Sequence, residues 1–134
     1  MIRHPFEYAA VRVVPRIERG EAMNAGVLLY CRGLDYLGAR VHLDTARLRA
    51  LDPAADVDGV ARFLHALERV CADDPEQARH AGPAGEEDRG RRFRRLTAPR
   101  STIVQAGPVH TGLTADPGVE LDRLLAELVL PLPG

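Results

Sequence analysis

"AGVLLYCRGLDYLGARVHL", residues 25 to 43, decides the fold. Residues 25 to 31 form a short, unbroken apolar run, which suits a strand buried inside a sheet. "RGLD" at 32 to 35 supplies turn chemistry around Gly33. In the following "YLGARVHL", Ala39, Val41 and Leu43 alternate with Arg40 and His42, the period of a half-buried strand. The two runs therefore read as a hairpin.

Upstream, "FEYAAVRVV" (6 to 14) is rich in β-formers, apolar on both sides, and ends at Pro15, so it reads as an interior strand. The connection to the next strand, "PRIERGEAMNAG", is longer than an ordinary hairpin loop. It is either a protruding ribbon with a solvated tip or a functional loop carrying Arg16, Glu18, Arg19, Glu21 and Asn24.

Downstream the period switches to helical. Asp44 caps a short helix carrying Leu48 and Leu51, stopped by Pro53. Asp56 caps a longer one, with Val57, Val60, Leu64, Leu67 and Cys71 at three-to-four spacing. Gly59 weakens that helix without breaking it. Residues 73 to 90, with Gly82, Pro83, Gly85 and Gly90, read as a flexible polar surface loop. Residues 102 to 105, "TIVQ", read as a fourth strand. Asp116-Pro117 opens a last helix, along which Leu121, Leu124, Leu125 and Leu128 line one face until Pro131.

The predicted architecture is α+β: a single domain over residues 1 to 134, with a small antiparallel sheet of about four strands and helices packed on one face. The leucine stripes of the helices near 56 to 72 and 117 to 129 are expected to share that face.

The 134 residues carry a net charge of -1, with 46% apolar and 28% charged residues, a globular composition without a global field for polyanions. All 18 basic residues are arginine, as GC-rich coding produces, so arginine position carries more information than arginine number. Cys31 and Cys71 form no CxxC pair, and the five histidines show neither HxxxH nor HExxH spacing, so no metal or cofactor is expected. The chain shows no hydrophobic signal region and no apolar run near 18 residues. The expectation is a cytoplasmic protein with buried, reduced cysteines and no membrane association.

"EYAAVRVVPRIERGEAMNAGVLLYC", "LGARVHLDTARLRALDP" and "RLTAPRSTIVQAGPVHTG" together resemble a bacterial family of short proteins, the domain of unknown function DUF3037. The resemblance covers essentially the whole chain, with residues 73 to 90 the least typical. It implies no established activity and brings no catalytic residues. The family's genes resemble neighbours of HipA-like kinase genes, which implies a protein partner of that kind.

Two stretches carry candidate chemistry. "RGRRFRRL" follows Glu86, Glu87 and Asp88, so a helix over 86 to 95 would pair Glu87 with Arg91 and Asp88 with Arg92, with Phe93 and Leu96 as anchors. That reads as a solvated, self-paired helix. With Phe93 as its lone aromatic it lacks the exposed aromatics of an RNA-binding sheet, and no nucleic-acid partner is expected. The segment after it places Arg100, Ser101 and Thr102 before a strand and His110 and Thr111 after it, groups suited to a phosphate or carboxylate. Across a five-residue strand these sets stand roughly 17 Å apart unless the loops fold back. Their other reading is local: turn satisfaction by the hydroxyls, an acid partner for Arg100 and a cap from His110.

The candidate ligand-binding set is therefore Arg100, Ser101, Thr102, His110 and Thr111, joined by Arg16, Glu21 and Asn24 from the loop between the first two strands. The functional expectation is a non-enzymatic binding or partner module recognising an anionic group or another protein. The alternative is a small phosphate-ester hydrolase or transferase, with Arg100 clamping the anion and His110 as acid or base. Glu21 is a further candidate general base, with Asn24 orienting the substrate. A structure that brings Arg100 and His110, or Glu21, into one concavity would favour the enzyme.

Overall fold

The computed structural model describes residues 1–72 and 88–133. Its elements run β1 (His4–Val13), β2 (Met23–Cys31), a 3-10 turn (Arg32–Leu34), β3 (Tyr36–Val41), α1 (Thr45–Leu51), α2 (Val57–Cys71), α3 (Arg89–Leu96), β4 (Val104–Ala106), β5 (His110–Thr114) and α4 (Pro117–Leu128). The strands form one antiparallel five-stranded sheet of order β3-β2-β1-β4, with β5 also paired to β1. The α+β class holds, and the hairpin legible in residues 25 to 43 is the β2–β3 pair.

Each described α-helix opens on an aspartate whose carboxylate accepts from a free backbone N–H of the first turn. Asp44 accepts from Arg47 (3.1 Å), Asp56 from Gly59 (3.0 Å), Asp88 from Arg91 (2.8 Å), and Asp116 from Gly118 and Val119 (3.1 and 3.2 Å). Such a cap contributes about 1 kcal/mol and fixes where each helix starts.

The helices do not share one face of the sheet. Leu28 of β2 packs with Leu48 of α1, Leu64 and Leu67 of α2 and Phe93 of α3. Its neighbours Val27, Leu29 and Cys31 pack with Leu121 and Leu124 of α4. Successive side chains of a strand point to opposite faces, so α1 to α3 cover one face and α4 covers the other. The expectation of a single helical face is thus corrected. A strand apolar at every position has two faces to bury, and the two leucine stripes answer one each.

Two further differences concern the end of the chain. The fourth strand begins at Val104 rather than residue 102, and a fifth, "HTGLT", follows it. β4 and β5 are in effect one edge strand interrupted by a bulge. Ala106 lies opposite Val11 and His110 opposite Tyr8, and Gly107 N–H donates to the Ala10 carbonyl, so Pro108 and Val109 together face Ala9. The polar loop expected over 73 to 90, together with Glu86 and Glu87, falls outside the described residues except for its last three positions. Of these, Asp88 caps α3 and Arg89 and Gly90 are helical. Among the described residues, no helix is long and apolar enough to cross a membrane.

The two-faced core predicts independent energetics. Val60→Ala in α2 and Val129→Ala after α4 each remove two methyl groups from opposite faces. Each is expected to cost about 1–2.5 kcal/mol in urea unfolding, with the double variant additive within about 0.5 kcal/mol. Strong coupling between them would mean that the two clusters are one.

Candidate functional site

The candidate residues separate into three places. Arg100, Ser101 and Thr102 line a cleft of about 630 Å3 between α2 and the segment leading into β4. Its other walls are mostly apolar: Pro15 and Ile17 from the chain after β1, Leu48 of α1, Val60 and Phe63 of α2, and Ile103 and Val104, with Asp56 at the start of α2. Phe63, Ile103 and Ile17 are 51%, 46% and 43% exposed, large apolar side chains gathered on one concavity. Beneath Phe63 and Arg100 a smaller cavity of about 30 Å3 reaches Val11 and Leu28 of the sheet.

Arg100 sits on this rim because α3 ends just before it. Its guanidinium donates to the Arg95 carbonyl (2.9 Å), a cation at a helix C-terminus where the dipole favours it. One of five guanidinium N–H groups is thereby engaged. The Thr102 hydroxyl donates to the Val104 carbonyl (2.7 Å), closing a turn with Gln105, whose amide donates to the Thr102 carbonyl (2.7 Å).

His110 and Thr111 lie elsewhere. His110 pairs with Tyr8 in the ladder, its ring 5.3 Å from the Tyr8 ring, whereas Val104 pairs with Val13. Five positions along β1 separate the two, roughly 17 Å at strand rise. The loops do not fold back to bring Arg100 and His110 together, so the clamp-and-acid pair needed for phosphate-ester chemistry is not assembled. Thr111 instead borders a second, wider cleft of about 1000 Å3 with Arg32, Arg89, Arg91 and Arg94.

The loop between β1 and β2 contributes Ile17 to the first cleft and little of its polar chemistry. Arg16 reaches Asp52 (3.5 Å) and Glu18 (3.6 Å). The Arg19 guanidinium bonds the Glu21 carboxylate and holds its pKa below the usual carboxylate range. The lowered pKa makes this carboxylate a weaker base. The Asn24 amide donates to the Leu128 carbonyl (3.0 Å), tying β2 to the end of α4. Sequence reasoning missed the apolar half of the cleft. Its available signal was Phe63, which stands on α2 off the stripe of Val60, Leu64, Leu67 and Cys71.

Glu86 and Glu87 lie outside the described residues, and among those that are described the arginine run also reaches beyond its own helix. Phe93 is fully buried and stacks on Tyr30 (5.6 Å between rings), while Leu96 packs at the same cluster. Arg89 pairs with Asp35 beyond the 3-10 turn (2.8 Å), and Arg94 pairs with Glu7 of β1 (2.6 Å). Arg92 is buried and donates to the Val70 carbonyl at the end of α2 (3.2 Å). Arg91 turns back towards Asp88, at 3.8 Å. The arginines thus bind α3 to the sheet and to α2. Among the described residues, no group of three or more His, Cys, Asp and Glu is placed to hold a metal ion.

Arg92→Ala is therefore expected to cost about 2–4 kcal/mol in denaturant unfolding, since it removes a buried guanidinium and its carbonyl bond. Arg91→Ala, on an exposed pair, is expected to stay within about 0.5 kcal/mol. Equal effects would contradict this division of the run.

No curated protein and no solved structure matches the chain. A family model described as "Protein of unknown function (DUF3037)" matches residues 8–129. That span runs from Tyr8 in β1 to Val129 after α4 and takes in the paired core of the sheet and both helical layers. The chain belongs to the DUF3037 family.

Proposed function

We propose that the protein is a binding module rather than an enzyme. Its cleft between α2 and residues 100–104 takes a molecule that is apolar along its length and anionic at one end. The observation that carries this reading is the convergence of exposed Ile17, Phe63 and Ile103 on one concavity whose rim holds Arg100. A volume of about 630 Å3, mostly apolar with a few polar groups at one side, is the form of a small-ligand site. The rim also gives a direction. Asp56, at the start of α2, lines the cleft too, and its carboxylate disfavours an anion there. Arg100, with Ser101 beside it, offers the donors on the other side.

The fluorescent anion 8-anilinonaphthalene-1-sulfonate is a direct probe, with fused and single aromatic rings and one sulfonate. It is expected to bind the folded protein saturably at one site, with enhanced emission. Phe63→Asp is expected to weaken binding about tenfold or more, by removing apolar surface and adding a like charge. Arg100→Lys is expected to weaken it about two- to fivefold with little change in Tm, since the charge stays but the planar fork is lost. Unchanged binding in Phe63→Asp would sink the reading. A large fall in Tm for Arg100→Lys, with binding following stability, would make Arg100 a structural cap only.

A further inference from the structure

The two outer edges of the sheet are finished differently. On β3, the hydrogen-bonding groups that point away from β2 are those of Leu37, Ala39 and Val41, because His42 N–H donates inward to Ala25. Two of these positions are guarded. Val41 N–H donates to the Glu68 carboxylate of α2 (3.3 Å), and the Ala39 carbonyl accepts from the Arg40 guanidinium (3.1 Å). At the other edge, the Val104 carbonyl of β4 is taken by the Thr102 hydroxyl, and Pro108 stands in the bulge. These are the devices by which sheet edges are closed to other chains.

Among the described residues, none of these devices falls on β5 itself. The Gly107–Ala10 bond sets the alternation along β1, so His110, Gly112 and Thr114 bond inward and Thr111 and Leu113 point their N–H and C=O outward. Neither outward backbone has a hydrogen bond to another described residue. The strand carries no Asp, Glu, Lys or Arg, and Leu113 is 59% exposed. Two residues thus offer two donors and two acceptors in strand geometry.

The side chains of Thr111 and Leu113 share a face with Glu7 and Pro5, their ladder partners, and this is the face covered by α3. Thr111 forms one wall of the arginine-lined cleft. There Arg32, Arg89, Arg91 and Arg94 stand against the carboxylates of Glu7, Asp35 and Asp88. Arg32 has no guanidinium partner among the described residues, and Arg91 approaches Asp88 only to 3.8 Å. An added strand would lie about 4.8 Å beyond β5 and send every second side chain over this cleft.

We propose that β5 is a docking edge for an extended segment of a partner protein that carries acidic side chains on alternate residues. The backbone of Thr111 and Leu113 supplies the added ladder, and the arginine cleft selects carboxylates. A second copy of the chain fits less well. Two-fold pairing of β5 about Gly112 would set Thr111 opposite Leu113 of the other copy and bring two arginine-lined clefts onto one sheet.

The test is an NMR titration of the 15N-labelled full chain with blocked peptides of four Val-Glu or four Val-Lys repeats. The Val-Glu peptide is expected to shift the Thr111 and Leu113 amides saturably, with the Val-Lys peptide weaker by about tenfold or more. Leu113→Pro removes an outward donor that β1 does not use, so it should leave the fold intact and abolish the shifts. Leu113→Glu, should the proline variant not fold, is expected to do the same by charge repulsion. Arg94→Gln is expected to weaken Val-Glu binding about fivefold. The proposal is overturned if millimolar Val-Glu peptide gives no saturable shift, if Val-Lys binds equally, or if the shifts fall on β3 or β4. It is also overturned if the protein alone dimerises by sedimentation and Leu113→Pro returns it to monomer, which would make a second copy the occupant.

Discussion

Burial of β2 on both faces is the constraint from which the layers follow. Val27, Leu29 and Cys31 look one way and Leu28 the other, all with essentially no exposure. A strand of that kind must sit inside the sheet, and β1 and β3 flank it. Each face then needs an apolar cover of its own, which one helix stripe cannot supply for both. The cover is unequal. α1, α2 and α3 meet on the face of Leu28, and α4 takes the face of Leu29, held in place by Asn24 at its C-terminal end and by Arg40, whose guanidinium meets Asp122 at 3.2 Å.

That unequal cover positions the cleft. α2 packs over β3, and α3 packs over β2 and β3, so the β1–β4 side of that face is left to side chains arriving from its rim. Ile17 comes from the turn after β1, Ile103 from the approach to β4, and Phe63 from the flank of α2. None of the three finds full burial within the domain. The cleft therefore stands where the helical layer stops short of the sheet's edge.

Charge in this protein acts mainly as fastening. α3 carries five arginines in eight residues, yet three of them reach carboxylates or a carbonyl on other elements rather than a common ligand. The pairs with Asp35 and Glu7 are partly exposed and individually weak. Their combined effect is to aim the helix, whose packing energy comes from Phe93. The same fastening leaves a basic cleft beside β5, because the arginines outnumber the acids that hold them by one.

The sequence by itself determined the elements whose cause is local. The apolar run 25 to 31, the turn at Gly33 and the alternation after it specified the hairpin, and Asp44, Asp56 and Asp116 marked helix starts through side chains that reach only three residues along the chain. It also marked Arg100, Ser101 and Thr102 as a polar cluster ahead of a strand, and the structure gathers them on one cleft. It could not assign helices to faces, because a leucine stripe states that a face must be buried and not which side of a sheet will bury it. β5 was equally illegible. "HTGLT" has no strand pattern of its own and becomes a strand only because the outer groups of His4, Phe6 and Tyr8 need partners. The separation of Arg100 from His110 belongs to the same class of fact. Whether a loop folds back depends on the bulge at Pro108 and Val109, which continues the edge along β1 instead of reversing it. Local chemistry chose the parts, and the pairing of β1 decided what stands next to what.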